Sequence, residues 1–385
     1  MDKYYYFYDL NEVLIDRYPA KIAQRLSKEI NSNNFVFIYS EQYNDAAPKN
    51  IPEGSKFFYI KNLKKEELEK LFDKYPPHSL TTIAQRIPDM WMLTFFNHRN
   101  VPTFLVQHGL WSDRLERIPL IPLLLKKFSK FQSYLRHVRA ICKMNNIPLI
   151  PTLVDLYKFL LLENIDIPKT KYLDIDKLRA NKAFVFDDSW NNYYEKKYGY
   201  NRNDLIYIGN PDYLLLKGID LNKKEDAVCY VCQSLVEDGR FSLKEYTSFL
   251  RILERNVTGK KKLYIKLHPR SKLKFYDLFK TNKNVVLTHD LPVCRYYIAH
   301  YTGLLATVRQ ISENVLIWKL KDHHIPQYFN RFASVITDKE PELRDFIDGK
   351  TVNKRHIAIT RLTSEEIEAF DPINTITQNL IKYSN

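Results

Sequence analysis

Short apolar runs alternate along the chain with longer amphipathic stretches, and this pattern predicts the secondary structure. Helical periodicity is found at Pro19–Ile30, Lys65–Lys74 and Asp89–Phe96. The apolar runs that predict strands in the first half are Tyr4–Tyr8, Phe35–Tyr39, Phe57–Ile60, Leu80–Ile83, Thr103–Val106, Phe184–Phe186 and Leu205–Ile208. Strands that alternate with helices in this way are typical of a parallel sheet covered on both faces.

A charged stretch, Lys217–Asp226, interrupts this pattern, and a second series of strands follows it. The runs that predict these strands are Val228–Val231, Leu263–Leu267, Val285–Leu287 and Val315–Trp318. We therefore expect an α/β fold with two Rossmann-like domains facing a cleft, over residues 1–220 and 221–385. The last predicted helix, Pro372–Tyr383, could pack back onto the first domain.

Length and charge restrict the class of protein. The chain has 385 residues, and its 59 basic and 45 acidic side chains give a formal charge of +14. Such an excess favours acidic partners, namely nucleic acid, anionic lipid or a phosphorylated substrate. No recognisable nucleic-acid-binding module accompanies the charge, so we do not expect nucleic acid as the partner. With no signal peptide and no apolar run of about 18 residues, a cytoplasmic protein is expected.

Glycine and cysteine patterns disfavour two large classes of enzyme. The nine glycines form neither a Walker loop nor a Gly-x-Gly-x-x-Gly fingerprint, which argues against a P-loop NTPase or an NAD enzyme. Cys229 and Cys232 have a spacing found in metal sites, but no second pair of ligands follows. We interpret them as buried thiols and expect no metal site.

Short polar segments, called corners below, directly follow several predicted strands. In open parallel sheets, ligands bind at such strand ends. The corners are Gln107-His108-Gly109, the stretch from Gln233 to Glu237-Asp238-Gly239, Lys266-Leu267-His268-Pro269-Arg270, and Tyr301-Thr302-Gly303. The three basic side chains of the third corner could compensate a nucleotide phosphate. In the fourth corner, the Thr302 hydroxyl and free amides could meet a phosphate at a helix N-terminus. The ordinary alternative is a set of strand ends beside solvated charges, with Glu237 and Asp238 capping a helix that begins near Ser242.

Three of these corners together resemble known motifs. Glu237-Asp238-Gly239, His268-Pro269 and Thr302 resemble the acidic, His-Pro and Ser/Thr motifs of bacterial sialyltransferases and polysialyltransferases, and the phrase Cys232–Gly239 is the most specific part. This resemblance implies a GT-B glycosyltransferase that inverts the anomeric centre of a CMP-activated sugar and needs no metal or other cofactor. It implies a donor site of Gln233, Gly239, Lys266, His268, Pro269, Arg270, Tyr301, Thr302 and Gly303.

The first corner resembles a strand-end motif of capsule and teichoic-acid glycosyl- and glycerophosphotransferases, in which the His is the catalytic base. Gly209-Asn210-Pro211 resembles the interdomain turn of the same superfamily. These resemblances imply His108 as base, with Gln107 and Gly109 beside the acceptor. The chain departs from the sialyltransferases because Glu237 and Asp238 lie in the same domain as His268.

Two candidates for the base therefore remain, His108 and the Glu237/Asp238 pair. A His with a pKa near 6.5 is largely neutral at cytoplasmic pH and can accept the acceptor proton, whereas a carboxylate would need a raised pKa. We prefer His108 as base, with Glu237 and Asp238 orienting substrate. His268, Lys266 and Thr302 would then stabilise the leaving phosphate.

A basic amphipathic insertion is predicted near residues 115–165. Within Leu115–Met144, lysines such as Lys126, Lys127 and Lys130 are spaced among apolar residues at helical intervals. One face of such a helix could meet the anionic inner surface of the cytoplasmic membrane, which would place the protein there peripherally. The alternative is an ordinary core helix with a solvated basic face.

The expected function is transfer of a sialic acid-like sugar, either a nonulosonic acid or Kdo, from a CMP-activated donor to a surface glycan or lipid-linked acceptor. The closest alternative is a CDP-glycerol or CDP-ribitol phosphotransferase of capsule or teichoic acid synthesis. A non-catalytic carbohydrate- or RNA-binding protein is the third possibility. The sequence leaves the sugar, its linkage and the oligomeric state open.

Overall fold

The structure is a computed structural model that describes residues 3–16, 18–41, 50–107, 109, 120–154, 175–237, 239, 241–321, 325, 327–350 and 361–384. These residues divide into two compact units. The first unit holds the described residues up to Gln107, those from Leu120 to Pro211, and those from Asp371 onward. The second holds Gly109 and the described part of Asp212–Phe370. The division after Pro211 lies earlier than the boundary predicted near residue 220.

The first unit is built on a parallel sheet of seven strands in the order β3-β2-β1-β4-β5-β6-β7. The strands are β1 (Tyr4–Asn11), β2 (Phe35–Glu41), β3 (Lys56–Tyr59), β4 (Pro77–Thr82), β5 (Thr103–Val106), β6 (Lys182–Val185) and β7 (Leu205–Tyr207). Successive residues Tyr6, Phe7 and Tyr8 of β1 are all fully buried. Because neighbouring side chains of a strand point to opposite faces, both faces of this sheet are covered.

The second unit contains a parallel sheet of six strands in the order β10-β9-β8-β11-β12-β13. These are β8 (Glu225–Val231), β9 (Leu263–Lys266), β10 (Val285–Thr288), β11 (Cys294–Ala299), β12 (Asn314–Trp318) and β13 (Val335–Thr337). Cys229 and Cys232 are buried thiols at the centre of this unit. The strand order is that of a Rossmann fold, in which the chain runs outward from the middle in one direction and then in the other.

Helices connect the strands of both sheets. They are α1 (Glu12–Ile15), α2 (Tyr18–Ile30), α3 (Lys65–Lys74), α4 (Ile87–Asn97), α5 (Leu120–Asn145), α6 (149–154), α7 (Ile175–Leu178), α8 (Asn191–Tyr198), α9 (Leu243–Val257), α10 (Leu305–Ile311), α11 (Gln327–Asn330), α12 (Glu340–Ile347), α13 (Ser364–Ala369) and α14 (Pro372–Ser384). Helix α14 packs on α2 in the first unit, where Arg25 Nη2 donates to Asn374 Oδ1 at 3.0 Å.

Local sequence explains where α9 begins. The Ser242 hydroxyl accepts a hydrogen bond from the Glu245 amide at 3.2 Å, which satisfies one free amide of the first turn. Tyr246, Phe249 and Leu250 then recur at helical spacing and are buried against the second sheet. Ser242 is therefore the cap of this helix.

Helix α5 contains most of the segment predicted to meet a membrane. The side chains of Lys126, Lys127 and Lys130 lie outside the described residues, so that part of the hypothesis stays a prediction. Over the part of the chain that the structure describes, no helix is long and apolar enough to cross a bilayer.

The predicted fold class is confirmed as α/β with two Rossmann-like units. Two strands, β11 and β13, were not predicted. In β11 the exposed Arg295 interrupts the apolar run, and its guanidinium lies 3.6 Å from the Asp226 carboxylate on the neighbouring strand. A charge at the start of a strand therefore concealed a buried strand at the middle of the second sheet.

Candidate functional site

The carboxyl ends of β8 and β11 form the topological switch point of the second sheet, because the strand order reverses between them. Gln233 follows β8, and its Nε2 donates a hydrogen bond across this point to the Tyr301 carbonyl oxygen. That carbonyl fixes the amide orientation, since a flipped amide would bring two oxygens together. Among the described residues, the buried Gln233 Oε1 has no hydrogen-bond partner. It is an acceptor that a ligand's donor group could satisfy.

Two further contacts join the corner after β8 to the corner after β9. Arg270 Nη2 donates to Ser234 Oγ at 2.7 Å, and the Lys272 amide donates to Glu237 Oε1 at 2.9 Å. The Glu237 carboxylate therefore holds the loop that carries the His-Pro motif. Three predicted corners, after β8, β9 and β11, thus lie along one edge of one sheet.

The ring of His268 is oriented by its own turn. The His268 amide donates to Ser271 Oγ at 3.1 Å, and the Arg270 amide donates to His268 Nδ1 at 3.1 Å. Because Nδ1 accepts a hydrogen bond, the ring proton of the neutral imidazole is assigned to Nε2. The donor of the neutral His268 ring is therefore Nε2–H.

A chain of buried polar groups contacts this turn through the Ser271 hydroxyl. Ser271 Oγ lies 3.4 Å from Tyr276 OH, which lies 3.0 Å from Tyr246 OH, and that hydroxyl in turn lies 3.8 Å from Cys232 Sγ. Burial raises the pKa of Cys232 to about 12, so its thiol stays protonated and serves this network. The network links the end of β8 to the His268 turn through groups that are fixed by packing.

Other residues that were predicted to bind the sugar donor make contacts within the protein. Lys266 Nζ donates to the Leu267 carbonyl oxygen at 3.0 Å, and burial lowers the pKa of this lysine. The Tyr301 ring is buried in the core, and its carbonyl oxygen accepts the hydrogen bond from Gln233 Nε2. Thr302 accepts at Oγ1 from the Leu304 amide at 3.4 Å.

The remaining residues of these corners differ in exposure. Pro269 and Arg270 are exposed at the turn after β9, and Gly303 is partly buried ahead of α10. Gly239 has a φ of 67°, in the left-handed region where a side chain would be strained. Asp238 lies outside the described residues, so its predicted role stays a prediction.

In the first unit, the corner after β5 is anchored to the neighbouring strand. The Gln107 amide donates to the Phe184 carbonyl oxygen, and the Phe186 amide donates to Gln107 Oε1, both at 2.9 Å. The buried Gln107 side chain is thus used to hold two strand ends together. Gly109, which belongs to the second unit, has a φ of 71°, and His108 lies outside the described residues.

A charged cluster that the sequence analysis missed lies at the switch point of the first sheet, between β1 and β4. Arg86 Nε and Nη2 donate to the two Asp89 oxygens at 2.6 and 2.9 Å, and Nη2 also donates to Asp9 Oδ1 at 2.8 Å. Burial raises the pKa of the Asp89 carboxyl, but the hydrogen bonds from Arg86 favour its ionised form. The Arg86-x-x-Asp89 spacing at a helix start was the only local signal.

Replacing Arg86 with methionine should lower the free energy of unfolding by about 3 kcal/mol, because two buried carboxylates lose their counter-charge. Arg202→Met is the matched control, since Arg202 pairs with Glu195 at 2.7 Å but its side chain is 73% exposed. An exposed pair contributes at most about 1 kcal/mol. Urea denaturation would measure both variants, and equal losses would contradict the assigned importance of the buried cluster.

Comparison with known proteins gives the fold a name. No protein-family model and no curated protein matches the sequence. In structure, the chain is similar to the UDP-GlcNAc 2-epimerase of Methanocaldococcus jannaschii, solved with UDP-GlcNAc and UDP, at 12% identity and a TM-score of 0.52 over 98% of this chain and 99% of that one. The chain has the GT-B fold.

A glycosyltransferase and a wall teichoic acid polymerase are similar to the chain in structure to about the same degree. The calicheamicin glycosyltransferase CalG4 matches at 12% identity and a TM-score of 0.50, over 100% of this chain and 95% of that one. The wall teichoic acid polymerase TagF, soaked with CDPG, matches at 12% identity and a TM-score of 0.50, over 99% of this chain and 89% of that one. At these identities the similarity establishes the fold alone.

Proposed function

We propose that the chain is a metal-independent, inverting glycosyltransferase that uses a CMP-activated, sialic acid-like sugar. The contact between Gln233 and the Tyr301 carbonyl carries this proposal, because it joins two predicted donor corners at the switch point of the second sheet. The GT-B fold and the ties from Arg270 to Ser234 and from Glu237 to Lys272 support it.

In the proposed reaction, an acceptor hydroxyl attacks the anomeric carbon while the bond from that carbon to the CMP phosphate oxygen breaks. His108 removes the hydroxyl proton, and CMP leaves with the bonding electron pair. His268 donates a hydrogen bond to the departing phosphate, with Lys266 contributing positive charge nearby. Donors held in place before the reaction stabilise charge as it develops and need no reorganisation.

Nucleotide binding is the direct test of the donor site. In buffer containing EDTA, CMP or CDP at about a hundred times its dissociation constant should raise the melting temperature of this 385-residue chain by roughly 3 °C, since a ligand that binds only the folded state stabilises it by about 2.7 kcal/mol. UDP and GDP are the matched comparisons. A shift produced by UDP or GDP alone, or a shift that requires Mg²⁺, would contradict the proposed donor.

The polyol phosphotransferase remains the rival, and its chemistry distinguishes it. A CMP-sugar transferase breaks a carbon–oxygen bond, whereas a CDP-glycerol or CDP-ribitol transferase breaks a phosphorus–oxygen bond of the diphosphate. Both reactions release CMP, but only the second leaves a phosphodiester in the product. Phosphorus analysis of the product therefore separates the two functions, and a non-catalytic binding protein would release no CMP at all.

The acceptor is proposed to be a surface glycan or a lipid-linked glycan. A lipid-linked acceptor would fit a protein that works peripherally at the inner face of the cytoplasmic membrane, as the excess of basic residues suggests. The first unit would supply the acceptor site, because His108 follows β5 of its sheet.

A further inference from the structure

A cavity of about 690 Å³ lies on the helical side of the first unit, between α3, α4 and α5. The start of α3 contributes Lys64 and Lys65, α4 contributes Trp91, and α5 contributes Arg136, Lys143 and Met144. The side chains of these α5 residues recur at intervals of seven and eight positions, so one face of the helix turns toward the cavity. The cavity is formed within one unit and is separate from the proposed donor site.

The side chains that line this cavity carry more positive than negative charge. Four of its side chains are cationic, and Glu66 supplies the carboxylate. Among the described residues, Arg136 and Lys143 form no ion pair, whereas Lys64 and Lys65 pair with Glu67 and Glu69 at 3.2 and 3.4 Å. Those pairs are exposed and therefore weak, so both lysines can turn to another anion at little cost.

The backbone at the start of α3 adds to the attraction for an anion. Lys64, at the N-cap position, provides no side-chain cap, so the amides of the first turn have no side-chain acceptor there. The helix dipole places partial positive charge at the same end. A phosphate is the anion that a cavity combining arginine, lysine and backbone amides would bind best.

Apolar side chains in the lining of the cavity indicate the source of that phosphate. Ala140 and Met144 lie between or beside the cations on α5. Leu63, just before α3, and Trp91 of α4 line the cavity as well. A cavity lined by both cations and apolar side chains suits an amphiphile, whose phosphate and hydrocarbon parts need both.

We propose that this cavity binds the phosphate headgroup of an anionic lipid. Arg136 and Lys143 hold the phosphate from α5, and the first turn of α3 faces it from the other side. The site would hold the first unit against an anionic membrane through one specific headgroup. This proposal does not depend on the identity of the sugar donor.

Calorimetric titration with soluble lipids tests the ligand. Short-chain phosphatidic acid, dispersed as monomers, should bind with at least tenfold higher affinity than inorganic phosphate or short-chain phosphatidylcholine, because only it joins an uncompensated phosphate to an apolar part. Inorganic phosphate binding as tightly as phosphatidic acid would overturn the lipid assignment. Absence of binding by all three probes would overturn the site.

Removing one positive charge at a time from α5 tests where the lipid phosphate binds. Arg136→Gln and Lys143→Gln should each weaken phosphatidic acid binding about tenfold, the expected loss of one charge-assisted hydrogen bond. Arg139→Gln is the matched control, since Arg139 is an exposed cation of the same helix that does not line the cavity. It should change affinity less than twofold. An equal loss in Arg139→Gln would show general attraction to a basic helix and would overturn the cavity.

Discussion

Replacing His268 with alanine is expected to reduce the turnover number by about 10²–10³-fold, the loss seen when one preorganised donor to a developing anion is removed. His268 is held by its own turn, with the Arg270 amide bound to Nδ1 at 3.1 Å, so Nε2 carries the ring proton proposed to be donated to the leaving phosphate. The turn itself rests on the Ser271 hydroxyl and the buried tyrosines. The melting temperature should therefore change little, which separates loss of chemistry from loss of fold.

Two further variants sharpen this test. His268→Gln can place an amide N–H near the position of Nε2 and should recover part of the activity that alanine loses. His289→Ala is the matched control, because His289 is an exposed histidine that follows the neighbouring strand β10. It should be as active as the unaltered protein. Full activity of His268→Ala would make the His-Pro corner a purely structural turn.

The sequence predicted most strands because buried parallel strands consist of continuous apolar runs. Thr103–Val106 and Lys65–Lys74 were predicted with the bounds that the structure has. Strand β11 was missed because Arg295 interrupts the apolar run near its start. Since β11 borders the switch point, its absence also concealed which two corners of the second unit are adjacent.

The candidate site was predictable only as a set of separate corners. Local sequence indicated that Gln233, Glu237 and His268 follow strands, because each comes after an apolar run. Their contacts depend on strand order, which local sequence does not contain. The Gln233 contact with Tyr301 spans 68 positions of the chain, and the Arg86 contact with Asp9 spans 77.

Some residues that were predicted to bind ligand make contacts within the protein instead. Local sequence does not reveal these contacts either, because they depend on strand order. Gln107 follows β5 as predicted, but its side chain bonds to the Phe186 amide of the adjacent strand end. The Tyr301 ring likewise packs in the core. A polar or aromatic residue at a strand end can serve either the ligand or the neighbouring loop, and only tertiary contacts distinguish the two.

Replacing His108 with alanine should reduce transfer by about 10²–10⁴-fold, the usual contribution of a positioned general base. Gln107, immediately before it in sequence, is bonded to Phe184 of β6 through its amide and to the Phe186 amide just after β6 through its side chain. The donor residues belong to the second unit, so CMP should stabilise His108→Ala as much as it stabilises the unaltered protein. His98→Ala, at the exposed end of α4, is the matched control and should remain active.

If the Glu237/Asp238 pair is the base instead, the relative activities of the His108 and carboxylate variants should be reversed. Glu237→Gln and Asp238→Asn should retain partial activity when His108 is the base, with the loss expressed mainly in substrate affinity, since Glu237 holds the Lys272 loop at 2.9 Å. A base acts only when deprotonated, so turnover should fall as pH decreases through about 6.5 for a histidine, or through about 4 for a carboxylate. An active His108→Ala together with an inactive Asp238→Asn and an acid limb near pH 4 would assign the proton to the carboxylates. The predicted result is the reverse, because a neutral imidazole accepts the proton at cytoplasmic pH without any shift in its pKa.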